Sequence, residues 1–198
     1  FEIVTIRTTA DKRQDVPLHE LGDKSLFLKE IEAALIAGKI DLAVHSLKDV
    51  PSRLEPSFTL AAVLEREDAR DVLLPNGLAA LPHRARVGTS SLRREAQLRT
   101  LRPDLRFLPI RGNVDTRLHK LEGGEYDAIA LAAAGLLRLG VSVPAEAYLP
   151  VADCLPAPGQ AAICVETLAG AAAWFAAVDH VPTRAAVEAE RSFAARLD

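Results

Sequence analysis

Short apolar runs alternate along this chain with longer segments in which apolar residues recur every three to four positions, the spacing of an amphipathic helix. The short runs have the length and composition of strands. Strands are predicted at residues 1–8, 40–45, 60–64, 71–74, 86–89, 107–110, 127–132 and 161–166. Helices are predicted at residues 24–37, 90–101, 113–121, 133–139, 169–178 and 184–197. This alternation predicts an α/β fold with parallel sheets and right-handed crossovers.

A regular block of strand–helix units occupies residues 86–139. Segments of weaker pattern, 65–70 and 150–158, would carry the chain into this block and back out of it. Two crossings predict two lobes with a cleft between them. The polar segment Asp11–Asp23 predicts a long loop, and loops of that length are often functional.

The composition is that of a folded protein outside the membrane. The 198 residues are 49% hydrophobic and 26% charged, and no apolar run reaches the length of a membrane span. Cys154 and Cys164 lie in no CxxC motif or Cys/His cluster, so we expect no disulfide framework, no metal site and a reducing compartment. Because the chain begins at Phe1 and contains no Met, we expect it to be a piece of a longer protein.

Positive charge is concentrated in one part of the chain. The net charge is −3, yet the segment Arg84–Lys120 holds ten Lys/Arg and only three Asp/Glu. A basic segment inside an acidic chain indicates a local anionic partner. A solvated basic helix face accounts for the same pattern equally well.

The segment Val44–Pro51, VHSLKDVP, is the first candidate site. It follows a predicted buried strand, and ligands of open α/β sheets bind at the carboxyl ends of strands. There Lys48 could hold an anion while Asp49 stabilises a cation. The alternative is an ordinary surface ion pair.

In two further segments, Val87–Glu95 and Ile110–Lys120, a predicted strand is followed by the start of a predicted helix. A helix start binds anions, and arginines are unfavourable there unless an anion is present. We therefore expect the arginines of these segments to converge on a ligand with carboxylates or phosphates, which arginine forks bind in pairs. The arginines concerned are Arg93, Arg94, Arg111 and Arg117, with Arg138 at the next such step. Simple capped helices with solvated arginines are the alternative.

These residues alone leave the class of function open between an enzyme and a non-catalytic anion-binding protein. Nucleic-acid binding through Arg84–Lys120 is a third possibility, but aromatic residues make up only 5% of the chain and supply few stacking platforms. The chain has no Walker motif and no GxGxxG sequence.

Four segments of the chain resemble, in order, the motifs of the porphobilinogen deaminase (hydroxymethylbilane synthase) family. They are HSLKDVP, VGTSSLRRE, IRGNVDTRLHKLEGGEYDAIALAAAGLLRLG and LPAPGQ. Two other segments, EREDARDVLL (Glu65–Leu74) and TRAAVEAERSFAARL (Thr183–Leu197), also resemble family segments. The resemblance implies a transferase that deaminates four porphobilinogen molecules and joins them head to tail into hydroxymethylbilane, in tetrapyrrole (haem) biosynthesis. It also implies a dipyrromethane cofactor, thioether-linked to a cysteine, as the primer of the growing chain.

The resemblance assigns roles to residues of this chain. Asp49 matches the catalytic carboxylate. The residues implied to hold cofactor and substrate carboxylates are Ser46, Lys48, Arg93, Arg94, Arg111, Arg117 and Arg138. Thr89, Ser90, Asn113 and Gln160 are implied to line the same cleft, and Arg191 to lie near it. Asp11–Phe27 resembles the family's mobile loop, with Lys24 and Phe27 facing the site.

The resemblance also implies three domains, of which the first two are similar to type 2 periplasmic binding proteins with mixed sheets. Domain 1 would take residues 1–64 and 159–180, domain 2 residues 65–158, and an α+β third domain would begin at 181–198. The family's first strand and helix would precede Phe1, and its attachment cysteine would follow Asp198. A cytoplasmic monomer that binds neither nucleic acid nor membrane is implied. Glycine is usual in the family where this chain has Ala10, Ser25 and Ala161.

Overall fold

The computed structural model describes residues 1–6 and 28–197, so the predicted loop positions Asp11, Lys24 and Phe27 lie outside the described residues. The chain forms two compact units. Unit 1 takes residues 1–67 and 158–198, and unit 2 is the continuous segment 68–157. Among the described residues, no helix has both the length and the apolar character that crossing a membrane requires.

Strands and helices alternate as predicted, and the fold is α/β. The strands are β1 (Ala43–Ser46), β2 (Phe58–Val63), β3 (Asp71–Leu74), β4 (Arg86–Gly88), β5 (Arg106–Leu108), β6 (Ala128–Ala132) and β7 (Ile163–Leu168). The α-helices are α1 (Lys29–Ile36), α2 (Leu92–Leu101), α3 (Val114–Glu122), α4 (Ala133–Arg138) and α5 (Val181–Ala194). Short 3-10 helices cover Leu47–Asp49, Ala145–Ala147 and Ala172–Val178.

The sheet of unit 1 has the order β1-β7-β2, and β7 pairs antiparallel with both neighbours. The expectation of a parallel strand at residues 40–45 is therefore wrong for these pairings. A short apolar run shows that a strand is buried but not which way its neighbour runs.

The sheet of unit 2 is mixed, with the order β3-β6-β4-β5. β4 pairs parallel with β5 and β6, whereas β3 pairs antiparallel with β6. Alternate residues of β3 and β6 enter two different core clusters: Leu73 and Ala130 lie in one, Val72 and Ile129 in the other. Because both faces of the sheet are covered, these strands are apolar except for Asp71 at the start of β3.

Three sequence predictions need correction at the element level. Residues 1–6 form no strand in the structure, and their apolar side chains are exposed, with Phe1 118% and Ile3 80% accessible. The helix predicted at 169–178 is a 3-10 helix at 172–178, which follows Gly170 at φ +101°. β7 begins at 163 rather than 161, because Ala161 has φ +73° and cannot continue an extended strand.

Candidate active site

The Lys48–Asp49 pair lies in a 3-10 turn directly after β1. The turn is anchored by Leu47, whose side chain is buried and whose N–H donates to the Ala162 carbonyl at 2.9 Å. A Cβ on Gly159 would lie 2.9 Å from Leu47 Cγ, so the glycine lets the two segments pack closely. This anchoring leaves Asp49 exposed and Lys48 half-buried at the end of the strand.

Arg191, on α5, holds the backbone that follows Asp49. Its guanidinium donates to the carbonyls of Val50 at 3.1 Å, Pro51 at 2.6 Å and Ser52 at 3.3 Å. Burial lowers the pKa of Arg191, and all three acceptors are neutral carbonyls. The structure thus gives Arg191 a contact with the loop of Asp49, while the implied contact with a ligand stays a prediction.

Gln160 is buried, with 1% of its surface accessible, within a polar cluster of unit 1. Its carbonyl accepts from Arg66 Nε at 2.8 Å, and Arg66 Nη1 pairs with Glu190 Oε1 at 2.6 Å. Glu190 Oε2 accepts the Gly159 N–H at 2.8 Å. These bonds tie the Gly159-Gln160 turn to α5, and the predicted ligand-lining role of Gln160 stays a prediction.

In unit 2, the carboxyl ends of the parallel strands β4 and β5 lead directly into α2 and α3. Ser91 accepts the Arg94 N–H at 3.4 Å and Asn113 accepts the Thr116 N–H at 2.8 Å, so Ser91 and Asn113 are the helix caps. Ser90 Oγ donates to the Ile110 carbonyl at 2.8 Å and accepts the Ile110 N–H at 3.1 Å. This side chain joins the two loops that carry the candidate arginines.

Thr89 is the first and Arg138 the last, in sequence, of the candidate residues in unit 2. Thr89 is buried, and its hydroxyl accepts the Ser91 N–H at 3.1 Å. Arg138 is the last residue of α4 and is exposed. The ligand contacts predicted for both residues stay predictions.

The anion beside Arg93 and Arg94 is a residue of the chain itself. Asp71, fully buried at the start of β3, pairs with Arg94 Nη2 at 2.7 Å and with Arg93 Nη2 at 2.7 Å. Burial would raise the pKa of Asp71, but the charges and hydrogen bonds of Arg94 and Arg93 outweigh burial and hold it below its ordinary value. Asp71 was not among the predicted site residues. Its one signal was a carboxylate at the start of the apolar run DVLL, where a buried charge needs a partner.

Arg94, Arg111 and Arg117 form an electrostatically coupled group, which we call the arginine cluster. Burial and the charges of Arg94 and Arg111 lower the pKa of Arg117. Arg117 Nε donates to the Gly112 carbonyl at 2.8 Å. At Gly112, which has φ +112°, a Cβ would come within 2.6 Å of Thr116, so only glycine fits this turn.

The arginine cluster fits a cofactor that carries several carboxylates, because guanidinium forks bind carboxylates in pairs and their mutual repulsion falls when an anion is present. The two thiols do not fit covalent attachment of that cofactor. Burial raises the pKa of Cys154 to about 11 and that of Cys164 to about 12, so both remain protonated and unreactive near neutral pH. Within residues 1–6 and 28–197, His, Cys, Asp and Glu form no group that could hold a metal ion.

Solved structures with a similar chain path include two bacterial proteins. The aliphatic sulphonate binding protein SsuA of Escherichia coli aligns with a TM-score of 0.41 at 16% identity, over 82% of this chain and 55% of that one. The periplasmic VFT2 domain of Bordetella pertussis BvgS aligns with a TM-score of 0.41 at 15% identity, over 82% and 72%. These scores are too low to support a function or a residue assignment.

Sequence relatives give a far stronger match. The family described as porphobilinogen deaminase, dipyromethane cofactor binding domain, matches residues 1–175. Porphobilinogen deaminase of Xylella fastidiosa (strain 9a5c) is 54% identical over 196 residues, which cover 96% of this chain and 64% of that protein. The corresponding protein of Nitratidesulfovibrio vulgaris (strain DSM 19637 / Miyazaki F) is 50% identical over 202 residues, covering 99% and 64%. The chain therefore spans about two thirds of the length of these relatives, and it belongs to the porphobilinogen deaminase family.

Proposed function

We propose that the full-length protein containing this chain is a hydroxymethylbilane synthase. It deaminates four porphobilinogen molecules and joins them head to tail into hydroxymethylbilane. Family membership supports the reaction. The observation that carries the proposal is the arginine cluster, in which the charges of Arg94 and Arg111 act on the half-buried Arg117.

The chemistry of the substrate suits this cluster. Each porphobilinogen unit carries an acetate and a propionate, so a growing chain adds two negative charges at every step. Guanidiniums held close together repel one another, and carboxylates that bind them remove this repulsion. Arg93, Arg94, Arg111, Arg117 and Arg138 bind these carboxylates, and Asn113 contributes a further polar group.

Asp49 is the catalytic carboxylate in this proposal. Loss of ammonia from the aminomethyl group of porphobilinogen leaves a cationic, azafulvene-like species. The Asp49 carboxylate stabilises that cation and accepts the proton that the attacking pyrrole carbon releases when the new bond has formed. Anchoring by Leu47 and Arg191 keeps Asp49 at the end of β1, which supports this role.

Further polar residues take part in binding in this proposal. Lys48 and Ser46 hold a carboxylate of the incoming pyrrole, and Thr89, Ser90 and Gln160 contribute polar groups that bind substrate or cofactor. When bound, the dipyrromethane cofactor supplies the terminal pyrrole to which the first unit is joined. Its attachment cysteine follows Asp198 in the full-length protein, which acts as a monomer in the cytoplasm.

The first experiment measures turnover and intact mass of the full-length protein. We expect a covalent dipyrromethane adduct, consumption of porphobilinogen and release of ammonia. Asp49→Asn should lower kcat at least 100-fold, the lower end of a typical general acid–base contribution, and should leave the melting temperature unchanged. Asp41→Asn, an exposed carboxylate in the same unit, is the matched control and should retain full activity.

Two results would overturn the proposal. Reversible binding of porphobilinogen without ammonia release, after reconstitution with porphobilinogen, would identify an anion-binding protein. Full activity of Asp49→Asn would remove Asp49 from its catalytic role while leaving the reaction in place.

A monomer mass by light scattering is the expected result for the oligomeric state.

A further inference from the structure

Asp71 is a fully buried carboxylate that the proposed chemistry does not use directly. A buried carboxylate is costly unless it is paired and hydrogen-bonded, so its partners account for its presence. The two arginines that pair with it in the described part of the chain, Arg93 and Arg94, belong to the set of arginines proposed to bind ligand carboxylates. Asp71 lies in EREDARDVLL, a segment that also resembles the family, but the resemblance assigns it no role.

Each carboxylate oxygen of Asp71 pairs with a different arginine. Oδ1 accepts from Arg94 Nε at 3.0 Å and from Arg94 Nη2 at 2.7 Å. Oδ2 pairs with Arg93 Nη2 at 2.7 Å and lies 3.5 Å from Cys154 Sγ. One side chain thus fixes two guanidiniums in sequence-adjacent positions on α2.

Arg94 is held at a further point by the sheet. Its Nη1 donates to the Ala130 carbonyl on β6 at 3.1 Å. The bonds to Asp71 and Ala130 occupy three of the five N–H groups of the guanidinium, and the side chain is only 8% accessible. β3 and β6, rather than α2 alone, therefore determine the plane of the Arg94 fork.

Asp71 is itself rigid, because β3 is paired with β6 and the backbone carbonyl of Asp71 accepts the Leu149 N–H at 2.9 Å. Its single negative charge balances one of the two adjacent guanidiniums. The pair keeps a net positive charge, and Arg94 still acts electrostatically on Arg117. Asp71 thus sets both the orientation and the net charge of this part of the arginine cluster.

We propose that Asp71 is a positioning residue that orients the Arg93 and Arg94 guanidiniums for the carboxylates of the bound pyrrole units. This inference rests on the proposed function. Asp71 contacts no reacting atom and acts only through the two arginines. Its removal should therefore weaken the binding of porphobilinogen more than it slows the chemical step.

The test uses the full-length protein, with rates normalised to the fraction that carries the adduct in intact-mass spectra. Asp71→Asn keeps the shape of the side chain but removes its charge and replaces one acceptor with a donor. We expect the KM for porphobilinogen to rise about tenfold or more and kcat to change less than threefold. Asp71→Glu, which keeps the charge, should restore part of the KM.

Asp127→Asn is the matched control. Asp127 also pairs with an arginine of unit 2, Arg86 Nη2 at 2.9 Å from Oδ1, but that arginine lies outside the proposed site. This variant should lower stability slightly and leave KM unchanged. It separates the loss of any arginine–carboxylate pair from the loss of this one.

Three other results would each overturn either this inference or the proposed function. A lower melting temperature with wild-type KM in Asp71→Asn would show a structural role only and overturn the inference. So would failure of both Asp71 variants to fold while Asp127→Asn folds. A wild-type protein without adduct or turnover would instead overturn the proposed function, and the positioning role for pyrrole carboxylates with it.

Discussion

Five arginines of this chain illustrate two kinds of environment. Arg86, Arg102 and Arg184 each pair with an aspartate, and the hydrogen bonds that they donate to Asp127, Asp104 and Asp179 raise the pKa values of those three arginines. Arg117 and Arg191 donate instead to neutral backbone carbonyls, and burial lowers their pKa values. Arginines of the second kind keep a charge for which an anionic ligand is a favourable neighbour.

Arg191→Lys tests the support that Arg191 gives to the loop after Asp49. A lysine ammonium cannot span three carbonyls as the planar guanidinium does. Losing these bonds should cost about 1–3 kcal/mol of unfolding free energy, because buried acceptors lose their partner, and should also lower kcat. Denaturant unfolding and turnover check this, with the exposed Arg196→Lys as the control. Wild-type stability and kcat in Arg191→Lys would contradict the supporting role.

Ala161 is a non-glycine residue in the left-handed region, at φ +73°. A side chain there costs roughly 1–2 kcal/mol, so Ala161→Gly should stabilise the protein by about 1 kcal/mol once the greater freedom of glycine in the unfolded chain is included.

A neighbouring alanine provides the control for this prediction. Ala162→Gly changes a buried residue that is not among the positive-φ positions, and it should lower the melting temperature. Thermal unfolding of both variants makes the comparison. A fall in melting temperature for Ala161→Gly as large as that for Ala162→Gly would show that backbone strain at Ala161 is negligible.

At the residue level, a sequence indicates local contacts better than distant ones. The caps Ser91 and Asn113 contact backbone groups only three residues away, within a single motif. The contacts of Asp71 with Arg93 and Arg94 span more than twenty residues and depend on the strand order. No local pattern carries that information.

At the scale of elements, α2 and α3 have the same design. Each follows a strand of the parallel β4–β5 pair, begins at a polar cap and carries an arginine in its first turns. Ser90 joins the two preceding loops through Ile110. The positions of Arg94 and Arg117 therefore depend on two capped helix starts and one loop contact.

Removing a cap should destabilise unit 2. Asn113→Ala should lower the unfolding free energy by about 1 kcal/mol. Ser91→Ala should have a smaller effect, because its hydrogen bond is longer at 3.4 Å against 2.8 Å. Ser142→Ala, in an exposed loop, is the control for the measurement by denaturant unfolding. Equal stability of Asn113→Ala and the control would contradict the capping role.

The positions of the strands along the chain could be predicted from the sequence better than their pairing. β3 was predicted to the residue at 71–74, because an apolar run between polar residues marks a strand. The order β1-β7-β2 joins strands more than a hundred residues apart, and nothing in their composition indicates which neighbour each accepts. The antiparallel direction of β7 was missed for this reason.

The whole molecule consists of one discontinuous unit and one continuous unit inserted in it. Unit 2 has its own mixed sheet and two core clusters, one on each face of that sheet, and both are built from residues of unit 2. Unit 1 needs both of its chain segments, because β7 pairs with β1 and β2. The division into three domains implied by the family resemblance stays a prediction.

Unit 2 should therefore fold when expressed alone as residues 68–157. We expect a cooperative thermal transition and dispersed amide resonances, because its core clusters contain no residue of unit 1. The segment 28–67 alone is the control and should remain unfolded, since it lacks β7. A disordered 68–157 fragment would contradict the independence of unit 2.

This connectivity has a consequence for biosynthesis. β7 is the central strand of the unit 1 sheet, yet the ribosome makes it after the whole of unit 2. During translation β1 and β2 leave the ribosome before β7 has been made, so they lack their shared partner. Every strand of unit 2, in contrast, is available once residue 157 has left the exit tunnel. The sheet of unit 1 is thus completed after that of unit 2, and the nascent chain carries two strands without their shared partner while residues 64–162 are made.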